Sequence, residues 1–285
     1  MRKGGVLLLD TPYEEEDFSA YGLARDAILP EDVAWTHRRS EREDTDLYFL
    51  SNQRNEERTI TASLRVVGRV PEVWNPLDGS IADATSWSVE EGRTTVSLTL
   101  APYASCFVLF RRAGEPQSAP LRATTCRPLE TTAWQLTFDR HEEPAKVVAS
   151  EHLFDWTVHP EDAVRYFSGT ATYRTKFHYE GSHTRLRLRL GEVHDVAAVR
   201  LNGVACGVAW TAPWEVELTE AVHAGENELE IEVSNCWANA ILGAEQGKAP
   251  FAGIWTNAPY RRKEQTLLPA GLLGPLELEI TKPNK

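Results

Sequence analysis

Apolar and polar residues alternate with a period of two along most of this chain. In "TITASLRV", Ile60, Ala62, Leu64 and Val66 alternate with Thr61, Ser63 and Arg65. "TTVSLTL" sets Val96, Leu98 and Leu100 on one face. "TRLRLRL" alternates Leu186, Leu188 and Leu190 with Arg185, Arg187 and Arg189, and "NELEIEV" alternates Leu229, Ile231 and Val233 with Glu228, Glu230 and Glu232. This period predicts strands with one face in a core and one in water. "SCFVLF" after Pro102 and the short run Val6–Leu9 add apolar strands. Many short strands separated by turns predict an all-β chain of two tandem β-sandwiches. One exception stands near the start. "EEEDFSAYGLARDAI" sets Phe18, Tyr21, Leu23 and Ile28 near helical spacing, with acids in its first turn and Pro30 beyond its end, and predicts a short helix.

The sharpest turn lies in "VRLNGVACGVAW", where Asn202-Gly203 predicts a two-residue hairpin. A boundary is expected in "RRAGEPQSAPLRATTCRP", rich in proline and small polar residues. The expected domains are 1–120 and 125–285. The opposite charges of Arg185, Arg187, Arg189 and Glu228, Glu230, Glu232 predict that these two strands are neighbours with paired charges.

Charge narrows the function classes. The chain has 285 residues and a formal charge of −12, which disfavours nucleic acid or an anionic membrane surface as a partner and leaves neutral ligands open. No apolar run reaches the roughly 20 residues of a membrane helix, and Val6–Leu9 is too short for the apolar region of a secretory signal. The compartment is left open. Cys106, Cys126, Cys206 and Cys236 are far apart and form no C-x-x-C, so buried free thiols are expected rather than a zinc or redox site. No phosphate loop or nucleophile elbow occurs. The nine tryptophans are the feature that calls for an explanation.

Three stretches carry a resemblance. "FSGTATYRTKF", "LGEVHDVAAVRLNGVACGVAWTAPWEVELTEAVHAGENELEIEVSNCWAN" and "LPAGLLGPLELEI" resemble the sugar-binding, galactose-binding-like jelly roll of family 2-type glycoside hydrolases. "WTHRRSEREDTDLYFLSNQ" and "VPEVWNPLDGSI" resemble the segment that follows the catalytic barrel in glycoside hydrolase family 106, typified by α-L-rhamnosidases. The resemblance implies that the second sandwich is a galactose-binding-like jelly roll and that the chain is a carbohydrate-recognising accessory region. It places the family's catalytic carboxylates upstream of the His-Arg segment, where this chain has only 34 residues before Trp35. A barrel needs about 250 residues. The expectation is a C-terminal portion of such an enzyme, or a stand-alone module, that hydrolyses nothing by itself and packs on a catalytic barrel. Where the family tends to read Trp-x-Asn-Arg-Leu-Ile-Gly-Asp, this chain reads "WANAILGAEQ", with Ala240 and Ala244 at the polar positions.

The candidate sugar-binding residues are Trp210, Trp214, Trp237 and Trp255, which lie near loops, with Asn239, Tyr260 and Arg261 beside them. Sugars pack their C–H faces on aromatic rings and give their hydroxyls to amides and guanidiniums. Burial is the ordinary fate of a single tryptophan, and Trp134 and Trp156 are expected in the core; burial of all four loop tryptophans is not. His37 and Arg38 are candidates to face the barrel, against a plainer reading in which the His-Arg cluster pairs with Asp44 and Asp46. Jelly-roll loops can hold a structural Ca²⁺ through oxygen ligands, but nothing here spells such a loop. No cofactor, other metal or catalytic residue is expected. Three rivals stay open: a complete enzyme using acids of 14–17 or 41–46, a structural interaction domain, and a free-standing glycan-binding module.

Overall fold

The alternating segments form antiparallel sheets in two units, Met1–Leu121 and Arg122–Lys285. The structure, a computed structural model, describes residues 22–118, 124–139, 145–257 and 266–282.

The first unit contains β1 (Ala27–Ile28), β2 (Val33–Ser40), β3 (Thr45–Asn52), β4 (Arg58–Leu64), β5 (Arg69–Trp74), β6 (Ile81–Asp83), β7 (Ser86–Glu90), β8 (Arg93–Leu100), β9 (Ser105–Ala113) and β10 (Gln117–Ser118). Among the described residues they make two five-stranded sheets, ordered β1-β4-β8-β7-β10 and β2-β3-β9-β5-β6. Tyr48, Leu50, Ile60, Leu64, Val96, Val108 and Phe110 form its core. The sheets differ on their other faces. The first pairs Thr59 with Thr99, Thr61 with Ser97 and Ser63 with Thr95, as a water-facing surface should. The second aligns Phe49, Phe107 and Trp74 in one row and Leu47, Leu109 and Glu72 in the next.

The second unit contains β11 (Thr124–Pro128), β12 (Trp134–Phe138), β13 (Lys146–Ser150), β14 (Thr170–Tyr179), β15 (Arg185–Arg189), β16 (Glu192–His194), β17 (Val196–Leu201), β18 (Val204–Ala209), β19 (Glu215–Glu217), β20 (Gly225–Ser234), β21 (Gly271–Gly274) and β22 (Glu277–Thr281), with short helices α1 (Asp162–Arg165) and α2 (Ala238–Glu245). A six-stranded sheet, β13-β12-β14-β20-β17-β18, and a four-stranded sheet, β11-β22-β15-β19, supply one core; β16 and β21 pair separately. Trp134 and Trp156 are buried in that core. The Asn202-Gly203 turn joins β17 to β18, with φ of 53° and 79°, values that Asn and Gly tolerate best. The Asn202 amide also donates to Ala221 O at 2.9 Å and accepts from Glu228 N at 2.9 Å, so the hairpin tip is fastened to the start of β20.

Three expectations are corrected. The helix expected over 14–28 does not extend to its end: Ala27 and Ile28 pair with Leu64 and Ser63 as strand β1, and residues 22–26 are not helical. Backbone pairing with β4 and the ion pair of Asp26 with Arg65 outweigh helical spacing there. Residues 14–21 and the run Val6–Leu9 lie outside the described residues. The stretch in which the boundary is expected does contain the division after Leu121, but it is not all loop: it carries the end of β9, all of β10 and, past the division, β11. The arginine strand β15 does not neighbour the glutamate strand β20. It lies between β19 and β22, so Arg185 pairs with Glu217, and Arg187 with Glu215 and Glu279. The glutamates of β20 face basic residues of β14 instead, as in Arg174–Glu230 and Lys176–Glu226. Charge complementarity holds for β15 with different partners, because β19 and β22 also carry alternating glutamates. All four cysteines are free thiols, but only Cys106 is buried as expected; Cys206 is half-buried and Cys126 and Cys236 are exposed.

Candidate functional site

Trp237 and Trp255 stand 72% and 79% exposed, whereas Trp87, Trp134 and Trp156 are buried. Trp237 caps the N-terminal end of α2, where the chain leaves β20. Both indoles line an open cleft of about 260 Å³ whose other walls include Ser168, Ala240, Ile241 and Ile254. The cleft is held from behind. The Asn239 amide, buried at 3% exposure, donates to Leu268 O at 2.7 Å and accepts from Leu268 N at 2.8 Å, tying the first turn of α2 to the chain before β21. Gly243 lets α2 approach Tyr166, since a Cβ there would come within 2.5 Å of that ring. Asn235 bonds Gly169 N at 3.0 Å and Phe167 O at 2.8 Å, bracketing Ser168. Two indoles on an apolar floor can take the C–H face of a pyranose. Ala240 keeps a polar side chain out of that floor.

The other candidates separate. Trp210 is 58% exposed just beyond β18 and does not line the cleft. Trp214 packs partly on the core and donates its indole N–H to Asp195 O at 3.2 Å. Asn239 supports the cleft from behind. Tyr260 and Arg261 lie outside the described residues. Ser168, Ile241 and Ile254 also line the cleft, and no feature of the sequence marks them for it.

In the first unit, His37 and Arg38 point to opposite faces of β2. His37 stacks on Tyr48, with ring centroids 4.2 Å apart, and its nitrogens meet Asp46 at 2.9 Å and Asp26 at 3.3 Å. Arg39 meets Asp46 at 2.9 Å, and Arg69 meets Asp44 at 2.6 Å. Arg69, by hydrogen bond and then by charge, holds the Asp44 carboxyl below its ordinary range, which ill suits it to donate a proton. Burial, with Asp26 and Asp46 nearby, pushes the Tyr48 phenol up to about 12. Arg38 instead lines a cavity of about 420 Å³ on the outward face of β2-β3-β9-β5-β6.

Glu72 is the other residue the sequence did not disclose. It is 1% exposed on an outward face, bound by Arg111 Nε at 3.0 Å, Arg112 Nε at 2.6 Å and Trp74 Nε1 at 3.3 Å. Burial alone would raise its pKa, but Arg111, Arg112 and Trp74 outweigh it and hold the carboxyl below its ordinary 4.5. A depressed carboxylate stabilises the fold above its unfolded pKa and loses that contribution as pH falls through the folded value. Glu72→Gln should therefore lower the stability of the first unit by about 1–3 kcal/mol at neutral pH, with the half-exposed arginines setting the lower end. The deficit should shrink as the pH falls below the ordinary 4.5 and through the lower folded value. Urea titrations of both proteins across that range check this, and a deficit independent of pH would contradict it.

Among the described residues, no three His, Cys, Asp or Glu side chains stand close enough to hold a metal ion, and no helix is long and apolar enough to cross a membrane.

Residues 5–88 match the glycoside hydrolase 106 family, described as alpha-L-rhamnosidase, and residues 152–267 match the glycosyl hydrolase 2 galactose-binding domain-like family. The chain is similar to the solved rhamnosidase from Novosphingobium sp. PP1Y, with 34% identity and a TM-score of 0.82 over 92% of this chain and 25% of that one. It is also 28% identical, over 208 aligned residues, to a Formosa agariphila protein provisionally named beta-glucuronidase, covering 64% of this chain and 18% of the relative. The chain thus spans a quarter or less of the length of either relative.

Proposed function

We infer that this chain, which joins a glycoside hydrolase family 106 segment to a family 2-type galactose-binding-like domain, is a carbohydrate-recognising accessory region of an α-L-rhamnosidase-like glycoside hydrolase. The observation that carries the reading is the cleft between Trp237 and Trp255. Large aromatic rings left in water beside a concave apolar floor mark a contact surface. The ligand is a glycan, with rhamnose-containing glycans the first to test, and the working partner is a catalytic barrel. The rhamnosidase relative is four times as long as the region matched here, which leaves room for one.

Calorimetric titration with L-rhamnose, D-galactose and a rhamnose-containing oligosaccharide tests it. Saturable binding without hydrolysis is expected. Trp237→Ala and Trp255→Ala should each weaken binding about tenfold, or roughly 1.4 kcal/mol. Both side chains are mostly exposed, so stability should change by no more than about 0.5 kcal/mol. A folded chain that binds none of these sugars would leave a structural module. Turnover by the chain alone, abolished by one carboxylate substitution, would make it an enzyme.

A further inference from the structure

The cavity beside Arg38 uses none of the residues of the Trp237–Trp255 cleft and lies in the other unit. Its floor is Leu47 and Leu109, neighbours across β3 and β9. Arg38 bounds one side, opposite Leu47 on β2, and Trp74 and Arg111 bound the other. Arg38 and Leu109 lie two strands apart, about 10 Å at ordinary strand spacing, which is room for one pyranose ring.

The two arginines differ in a way that suggests a ligand. Arg111 is held in place: its guanidinium lies over the Trp74 ring, 5.4 Å from the centroid, and its Nε and Nη2 are bound to Glu72. The buried Glu72 also holds the Trp74 indole, so the aromatic wall and the cation are fixed together. Arg38 has neither a carboxylate nor a hydrogen-bond partner among the described residues. In a chain with 42 acidic and 30 basic residues, an unpaired guanidinium beside an apolar floor lacks its usual complement. A planar carboxylate meets the guanidinium fork with two hydrogen bonds. Glu43 on the rim would repel a second acid group but accept ring hydroxyls, and Ser40 and Thr45 add two hydroxyls.

We propose that this cavity binds a carboxylate-bearing pyranose, a uronate unit of an acidic glycan, with its carboxylate on Arg38 and its ring against Trp74. The choice of a sugar over another carboxylate rests on the glycan-recognising reading above; the Arg38 contact does not. Calorimetric titration of the full chain carrying Trp237→Ala, which weakens the cleft's own sugar contact, with D-galacturonate and D-glucuronate tests it, with D-galactose and acetate as controls. At least one uronate should bind saturably and at least tenfold more tightly than either control. Arg38→Ala should weaken that binding tenfold or more without moving the thermal midpoint, because it breaks no ion pair, and Arg38→Lys should restore part of it. The Trp237→Ala background separates this site from the cleft, because none of the residues lining the Arg38 cavity belongs to it. Absence of uronate binding, equal binding of D-galactose or acetate, or indifference to Arg38→Ala overturns the proposal. The arginine then belongs to a protein contact.

Discussion

Replacing Trp156 by alanine is expected to lower the stability of the second unit by about 3–5 kcal/mol, the range for a fully buried large aromatic. Trp156 is 0% exposed and sits among Phe138 and Phe167, whose rings meet it edge-on at 5.2 and 5.6 Å. Its indole N–H donates to the Tyr173 hydroxyl at 2.6 Å, and that same hydroxyl accepts Leu272 N at 3.0 Å. Truncation thus opens a cavity and removes a buried donor in one step. Trp156→Phe separates the two: it keeps most of the packing and leaves the Tyr173 hydroxyl one donor short, for a loss of about 1–3 kcal/mol. Urea unfolding followed by near-ultraviolet circular dichroism measures both, with the transitions of the two units fitted separately. A loss below about 1 kcal/mol for the alanine variant would mean the site collapses to fill the space.

Trp156 also illustrates what was legible in the sequence. Its burial was expected only because burial is the ordinary fate of a tryptophan, as was that of Trp134. Strict alternation revealed the strands of both units, and Asn202-Gly203 revealed its hairpin, because each signal is local. Strand order was not local. The arginines of β15 could complement any glutamate strand, and only the three-dimensional order selects β19 and β22. The end of the expected helix became strand for a similar reason, since the partner of Ala27 is Leu64, far along the chain. Two of the tryptophans line the cleft, but nothing in the sequence distinguished Trp237 and Trp255 from Trp214, which bonds Asp195. In the other unit "SCFVLF" is legible as an apolar strand, and its pattern says more than that. "LYFL" in β3 and "CFVLF" in β9 do not alternate, and such runs mark a strand apolar on both faces. Those runs place Leu47 and Leu109 on the floor beside Arg38. Glu72 had no signal, because its burial depends on Arg111, Arg112 and Trp74 folding over it.

Gly191→Ala is the second substitution with a large expected effect, a loss of about 3–4 kcal/mol from the second unit. Two costs combine. Gly191 has φ of +69°, where an alanine is strained by about 1 kcal/mol or more. Its Cβ would also stand 2.3 Å from the backbone carbon and oxygen of Gly274 and 2.6 Å from Pro275 O. These are main-chain atoms, so no side chain can swing aside; the bridge between Gly191 and Gly274 has to open, at the roughly 1–3 kcal/mol of overpacking. Gly203→Ala is the control. Its φ is +79°, but nothing lies within 4 Å of the added carbon, so only the conformational cost applies. The two variants measured side by side by urea unfolding should differ by about 2 kcal/mol. Equal losses would show that β16 and β21 separate easily. The distinction bears on the cleft, because the segment leading into β21 carries Leu268, the anchor of Asn239 and so of the first turn of α2. If the bridge opens as expected, the sugar binding proposed for Trp237 and Trp255 should weaken in Gly191→Ala and persist in Gly203→Ala.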